Sequence, residues 1–266
     1  QPAPACESGE NAVRIRLLST AVRVVRDERP GSRHPVEVAY VRDGRLLSVR
    51  ARHCVLACYN AVIPDLLPQL PPEQKQALHA AVKTPLVYTG VLLRHWRPFR
   101  DLGVHQVFAP GGYHTSVRLT ETVDIGSYTS PRSPNQPMVV WMVRTPCRPG
   151  LPEKEQNKVG RAELYTTPFE TFERHIRTQL TRMLAGTDFD AARDIAAITV
   201  NRWPHGYAPE NNALWESDPV NGEPAYLRAR VPYGPITIAN SDSGPGAYTD
   251  VAIDQAYRAV QELQGA

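Results

Sequence analysis

An α+β fold is predicted by three features of the sequence. Residues 13–58 alternate apolar and polar side chains, as the half-buried strands of an antiparallel meander do. The last stretch, 236–264, reads as a strand, a glycine-rich turn and a helix. Between these two, strand-like and helix-like segments mix, and 25 prolines favour bounded strands and loops over long helical repeats.

The elements follow in order. Residues 1–12 form a polar, proline-rich lead-in. VRIRLLS and AVRVVRDE each alternate apolar and basic residues and read as strands, and PVEVAYV is a further strand after the turn cluster RPGSRH. RDGR supplies an Asp-Gly hairpin signal. LLSVRARHCVLACY passes from alternating to continuously apolar, as a strand does on entering a buried core. Beyond Asn60 a proline-rich entry leads to a helix over residues 72–82, with proline in its tolerated first turn. LVYTGVLLRHW and MVVWMVRTP are apolar strands, and residues 98–137 between them read as strands joined by long loops. Residues 146–160 are expected to be a polar loop. PFETFERHIRTQLTRMLAG is the clearest amphipathic helix: Phe169, Phe172, Ile176, Leu180 and Leu184 recur every three or four residues, and Gly186 offers a stop. IAAITVNRW and ITIANSD are strands, and a helix capped by Thr249 or Asp250 ends the sequence.

Composition narrows the function. The 266 residues suffice for one large or two small domains, and 42% hydrophobic residues supply a core. A net charge of +3 is spread without a basic block, which argues against a nucleic-acid or anionic-membrane surface. No apolar run is long enough to span a membrane as a helix. Four cysteines, Cys6, Cys54, Cys58 and Cys147, make no disulfide framework. Cys54 and Cys58 share one face if their run stays a strand. No second close Cys/His pair follows for zinc, so free buried thiols and no metal are expected.

Three sets of residues are candidates for chemistry. The ending ITIANSDSGPGAYTD runs from a buried strand through a glycine-rich turn into a helix N-terminus, whose free N–H groups and dipole suit an anion or a carbonyl. An ordinary capped helix fits the same residues. NRWPHGY carries two aromatics and an imidazole on a tight turn, suited to walling a planar cofactor or a cationic amine, with His205 able to move a proton. A packed aromatic corner with a structural histidine is the other reading. Tyr113, Glu121, Asp124, Tyr128, Glu210 and Asp218 offer carboxylates and rings to a cationic chain, or are simply solvated. There is no G-x-S-x-G, H-E-x-x-H, paired C-x-x-C or G-x-G-x-x-G.

In sequence order these motifs resemble the flavin amine oxidase superfamily. RHCVLAC at 52–58 is similar to the passage where such chains re-enter the FAD domain, and residues 83–96 resemble the start of the substrate domain. Residues 201–207 resemble the Trp-containing turn that approaches the flavin, and residues 236–250 the final flavin-binding strand–helix junction. ACYNAVIP, TPLVYTGVLLRHW, TPFETFERHIRTQL, TVNRWPHGYA and IANSDSGPGAYTDVAIDQAYRAVQEL resemble the spermidine dehydrogenase-like proteins in particular, over nearly all of residues 13–264.

The resemblance implies FAD as cofactor and an amine or polyamine substrate whose C–N bond is oxidised by hydride transfer to the flavin. It implies cofactor contacts at Val22, Ala57, Trp203, Asp242, Tyr248, Thr249 and Ala252, with His205 and Tyr207 at the substrate face. It implies an FAD-domain meander in residues 1–60, a mixed-sheet substrate domain with flanking helices in 61–200, and a return to the FAD domain in 201–266. The Rossmann βαβ half, with its G-x-G-x-x-G turn, is missing, so an amino-terminal FAD-binding half or subunit is the expected partner. Many members carry a lysine in the middle of the strand that leads to the first Trp; this sequence has Leu86-Val-Tyr-Thr-Gly90 there, and Lys83 falls too early. That departure implies a dehydrogenase rather than an oxidase. A non-catalytic structural or interaction fragment, and an oxidase of an amino acid, are the alternatives.

Overall fold

The computed structural model describes residues 13–210, 223–244 and 246–265. The chain divides into two compact units, one built from residues up to 81 and from 208 onward, the other from residues 82–207.

In the first unit β1 (Thr20–Arg26), β2 (Val36–Arg42) and β3 (Arg45–Ala51) form an antiparallel meander in that order. Asp43 and Gly44 join β2 to β3 with φ of 52° and 70°, the left-handed pair that a two-residue hairpin turn of matching twist demands. VRIRLLS is not a strand: residues 13–19 are largely exposed and Leu18 has φ 52°. Alternation alone does not hold a strand that has no neighbour to pair with. The long run after the hairpin divides at Arg52 and His53. Its first part is β3, and its second, β4 (Cys54–Leu56), leaves the meander to pair in parallel with β10 (Ile236–Ile238).

Short α1 (Ile63–Leu66) and α2 (Pro72–His79) follow β4, and α7 (Ala225–Ala229) and α8 (Thr249–Gln264) belong to the later segment. Val24, Val36, Leu56, Ile63, Leu67, Leu78, Ile236 and Ile238 make one core, which is why the α1–α2 segment belongs with the meander and the unit boundary falls after residue 81. Buried Gln74 ties α2 to the α7 region through its Nε2, which donates to the carbonyls of Ala229 (3.1 Å) and Val231 (2.7 Å). Cys54 and Cys58 are half-buried free thiols, and burial pushes both up in pKa.

In the second unit β5 (Thr84–Leu93), β6 (Gln106–Phe108), β7 (Ser116–Leu119), β8 (Met138–Arg144) and β9 (Ile195–Gly206) form one sheet in the order β6-β7-β8-β5-β9. Every pairing in it is antiparallel; the parallel pairing of this fold lies in β4–β10 instead. α3 (Arg97–Asp101), α4 (Glu153–Thr166), α5 (Phe169–Met183) and α6 (Ala191–Asp194) complete the unit. Val87, Val91, Val117, Val140 and Met142 point from one face of the sheet to Phe172, Ile176 and Leu180 of α5 and Leu164 of α4. Phe169 stays 42% exposed, one turn before this seam begins.

α4 occupies most of what reads in sequence as a polar loop. Only Asn157, Gly160 and Leu164 of it are buried, so its apolar stripe is too thin to see. Gly160 lets α4 approach the chain at Pro146, because a Cβ there would lie 1.9 Å from the Pro146 carbonyl oxygen. Under the sheet His114 is fully buried. Its backbone N–H and Nδ1 face Gln179 Oε1 at 3.0 and 3.3 Å, Gln179 Nε2 donates to its carbonyl at 2.7 Å, and Nε2 meets Thr89 Oγ1 at 3.4 Å.

Gly160→Ala is expected to destabilise the protein by about 3 kcal/mol, since backbone rather than a side-chain tip must move; a denaturant titration measures it. Burial, above all, lowers the His114 pKa to about 4. The unfolded chain therefore binds the proton first as pH falls, and the stabilisation by neutral His114 is present above pH ~6.5 and lost on descending toward pH 4. Thermal unfolding between pH 7 and 4 should show that slope, on the order of 3 kcal/mol, and His114→Asn should flatten it.

Candidate functional site

The second unit presents an aromatic sheet face. Alternation along β5 turns Val87, Thr89 and Val91 toward the helices and leaves Leu86, Tyr88, Gly90 and Leu92 on the second face. Register adds to that face the residues opposite them: Trp203, Asn201 and Thr199 of β9, and Val143, Trp141 and Val139 of β8. The Tyr88 and Trp141 rings sit 5.1 Å apart, tilted by 31°. Gly90 is bare beside them, and a Cβ there would already be 3.0 Å from Thr199 Oγ1.

At the end of this face the β5–β9 register shifts between Thr84 and Leu86. Pro85 has no N–H to give the ladder, and β9 takes up an extra residue opposite it. The tight turn expected at 201–207 is strand instead: Trp203 to Gly206 are the last residues of β9, bulged opposite Pro85 and still paired with β5 at both ends of the bulge, and Tyr207 leaves the strand in a bend. Gly206 must be glycine, because a Cβ would meet Leu86 Cδ2 at 2.3 Å and the Thr84 carbonyl at 3.0 Å. Tyr207 then takes φ 60°, uncommon for a residue with a side chain. Its hydroxyl is hydrogen-bonded to that of Tyr88. Burial, and then this bond, push Tyr88 up to about 12, so it stays protonated.

Arg161 braces this end of β9 from α4: Nε donates to the Pro204 carbonyl at 2.9 Å and Nη2 to that of Lys83 at 3.0 Å. Partial burial, with the cations of Arg161 and Lys83, holds His205 below its ordinary pKa, so the imidazole is neutral near pH 7 and offers a lone pair rather than a charge. Trp203 and Tyr207 are 52% and 59% exposed. NRWPHGY is thus an exposed strand end more than a packed corner.

The first unit holds the other set. β4 and β10 run in parallel, and their carboxyl ends are laced together. Asn240 Nδ2 donates to the Cys58 carbonyl (2.5 Å) and to Asn60 Oδ1 (2.9 Å), and Asn240 Oδ1 accepts from Ser243 N–H (3.2 Å). Asp242 is buried, its Oδ2 accepting the Asn60 N–H at 3.1 Å. Gly244 packs on α8, where a Cβ would lie 2.6 Å from Val251 Cγ1. The helix cap is Tyr248, without a side-chain cap bond; Thr249 and Asp250 are already inside the first turn, contrary to the expectation that one of them caps it. The first-turn N–H groups are therefore not capped by the side chain before them, and a ligand oxygen suits such groups.

Of the residues picked from sequence, the structure groups Ala57 with Asp242 at the ends of β4 and β10. It sets Tyr248, Thr249 and half-buried Ala252 at the start of α8, Trp203 and His205 in the last residues of β9, and Tyr207 just after that strand. Val22 stands apart, exposed at the β1 bulge. Among the described residues the acidic and aromatic set does not converge. Tyr113 stacks on His175 of α5, Glu121 pairs with Arg118, Asp124 with Arg132, and Asp218 lies outside the described residues. Sequence reading passed over Tyr88 and Trp141, whose only signal is an aromatic ring on the alternate register of an apolar strand.

No protein-family model matches the chain, and no curated protein matches it. Solved structures do. A triple mutant from a redesign of cofactor binding in putrescine oxidase aligns over 93% of this chain and 49% of its own, at 16% identity and a TM-score of 0.59. Wild-type putrescine oxidase bound to putrescine aligns over the same shares, at 15% identity and a TM-score of 0.55. The fold is thus the α+β fold of part of that enzyme, and this chain spans about half the length of the structures it matches.

Asn240→Ala removes the link between the two strand ends and should cost about 2 kcal/mol, read as a fall in the denaturant midpoint.

Proposed function

We propose that this chain is the flavin- and substrate-side part of an FAD-dependent enzyme that oxidises an amine C–N bond, with a polyamine such as spermidine as substrate. The observation that carries the reading is the exposed aromatic end of β9, Trp203 to Tyr207, in a sheet whose fold matches putrescine oxidase. When bound, FAD would accept the hydride lost from the carbon next to nitrogen, and water would then release an aldehyde from the resulting imine.

The chain's own residues have defined tasks in this reading. The turn after β10 would hold the cofactor: the laced strand ends at Asn240 and Asp242 and the first-turn N–H groups near Tyr248, Thr249 and Ala252 suit polyol hydroxyls and carbonyl oxygens. Ala57 and Val22 would line its path. The residues 82–207 unit would bind substrate. Tyr88, Trp141 and Trp203 offer apolar walls to methylenes and π-faces to an ammonium. Neutral His205 could take the ammonium proton, so that the amine reacts with its lone pair free. Tyr207 would orient it. An amino-terminal FAD-binding half, in the same chain or a separate one, would supply the adenine side.

Two observations refine the reading. β5 carries no lysine from Thr84 to Leu93, which favours a dehydrogenase over an oxygen-using oxidase. Arg161 and Arg202 direct their guanidinium groups to backbone carbonyls of Pro204, Lys83 and Leu164, which leaves an amino-acid carboxylate poorly served and favours an amine.

The test is a flavin spectrum of the purified chain, alone and mixed with a separately expressed amino-terminal half of a spermidine dehydrogenase-like protein. A yellow complex bleached by spermidine without oxygen is the expected result. Folded protein that takes up no flavin in either sample would leave the structural-fragment reading in its place.

A further inference from the structure

Tyr207 is held in an unusual way. Its backbone is left-handed, its ring is exposed, and it follows a glycine that closes β9 against Thr84. Left-handed backbone at a bulky residue is unfavourable and persists only where something fixes it. The partner its hydroxyl has is Tyr88, four residues along β5 from Thr84. The two side chains therefore bridge the strand segment around Leu86, the residue opposite Trp203. Tyr88 is itself fixed: its ring leans on Trp141 and its carbonyl accepts from Asn201 Nδ2 at 3.1 Å.

We infer that Tyr88 is a positioning residue for the amine site: its hydroxyl donates to that of Tyr207, latching the exit from β9 and leaving the Tyr207 O–H and one lone pair for the substrate nitrogen. This rests on the amine reading above. A phenol oxygen has one proton and two lone pairs, so accepting from Tyr88 consumes one lone pair only. The more buried Tyr88 has fewer alternatives and is the donor. Trp141 sets the Tyr88 ring, Tyr88 sets Tyr207, and the amine meets Tyr207 beside Trp203.

The experiment uses Tyr88→Phe, which keeps the ring on Trp141 and removes only the hydroxyl, with Tyr207→Phe and the double variant. In the flavin-loaded assembly, the spermidine dependence of flavin reduction gives an apparent Kd and a limiting rate. Each single variant should raise Kd about fivefold, the worth of one hydrogen bond, with the limiting rate little changed, and the double variant should be no worse than either single one. In the chain alone, chymotrypsin should cut after Tyr207 faster in Tyr88→Phe than in the unaltered protein, followed by mass spectrometry. Additive effects, or weakened binding in Tyr207→Phe with none in Tyr88→Phe, would overturn the inference; so would unchanged cleavage. If the unaltered assembly binds no amine, the amine reading fails and Tyr88's role toward an amine fails with it, while the cleavage comparison still decides whether the latch exists.

Discussion

The antiparallel pairing of β5 with β9 is the constraint on which the second unit depends. These strands are far apart in sequence, and their register decides what each side chain does. With Leu86 opposite Trp203 and Tyr88 opposite Asn201, the apolar set of β5 lies on α5 and the aromatic set lies on the other face. A slip of one residue would exchange the two faces. Pro85 sits where the register shifts, and β9 takes up its extra residue there, between Trp203 and Gly206, just before Tyr207. The site is thus a product of a missing N–H as much as of the residues that line it.

A second long-range pairing organises the first unit. β4 follows a meander strand after two residues, yet it pairs in parallel with β10, which lies far away in sequence. The pair is only three residues long on each strand, and side chains do much of the joining at its end. Asn240 bonds to both the Cys58 carbonyl and Asn60, and Asp242 receives the Asn60 N–H, so the turn toward α8 is fixed to the end of β4. Glycine at 244 then allows that turn to lie on Val251. The result is a set of backbone donors at a helix start held by a network of amides.

Several elements were legible because their signal is local. The Asp-Gly hairpin, the amphipathic α5 and the closing strand–turn–helix each follow from residues within a few positions of one another. α4 was not legible, since a helix that buries three residues through small contacts has almost no stripe. VRIRLLS shows the reverse error: it has the alternation but lacks a neighbour. Segment 201–207 could be picked out by its residue types, though it is a bulged strand end and not the tight turn they suggest, and Tyr88 and Trp141, which complete its surroundings, look like any other aromatic in an apolar strand. Lys83 and Arg161, whose charges act on His205, come close to it only through the fold.

The sequence by itself determined which segments bury a face, where the tight turns fall and which residue types stand at the end of β9 and after β10, because these are set by the period of side-chain direction and by the local geometry of Gly, Pro, Asn and Asp. Only the tertiary structure decided that β4 leaves the meander for β10, that Tyr88 meets Tyr207, and that Glu121 and Asp124 pair locally with arginines. Those outcomes depend on strand register and on packing between residues distant in sequence, where the free energy of one arrangement over another is spread across many contacts and written in no single stretch.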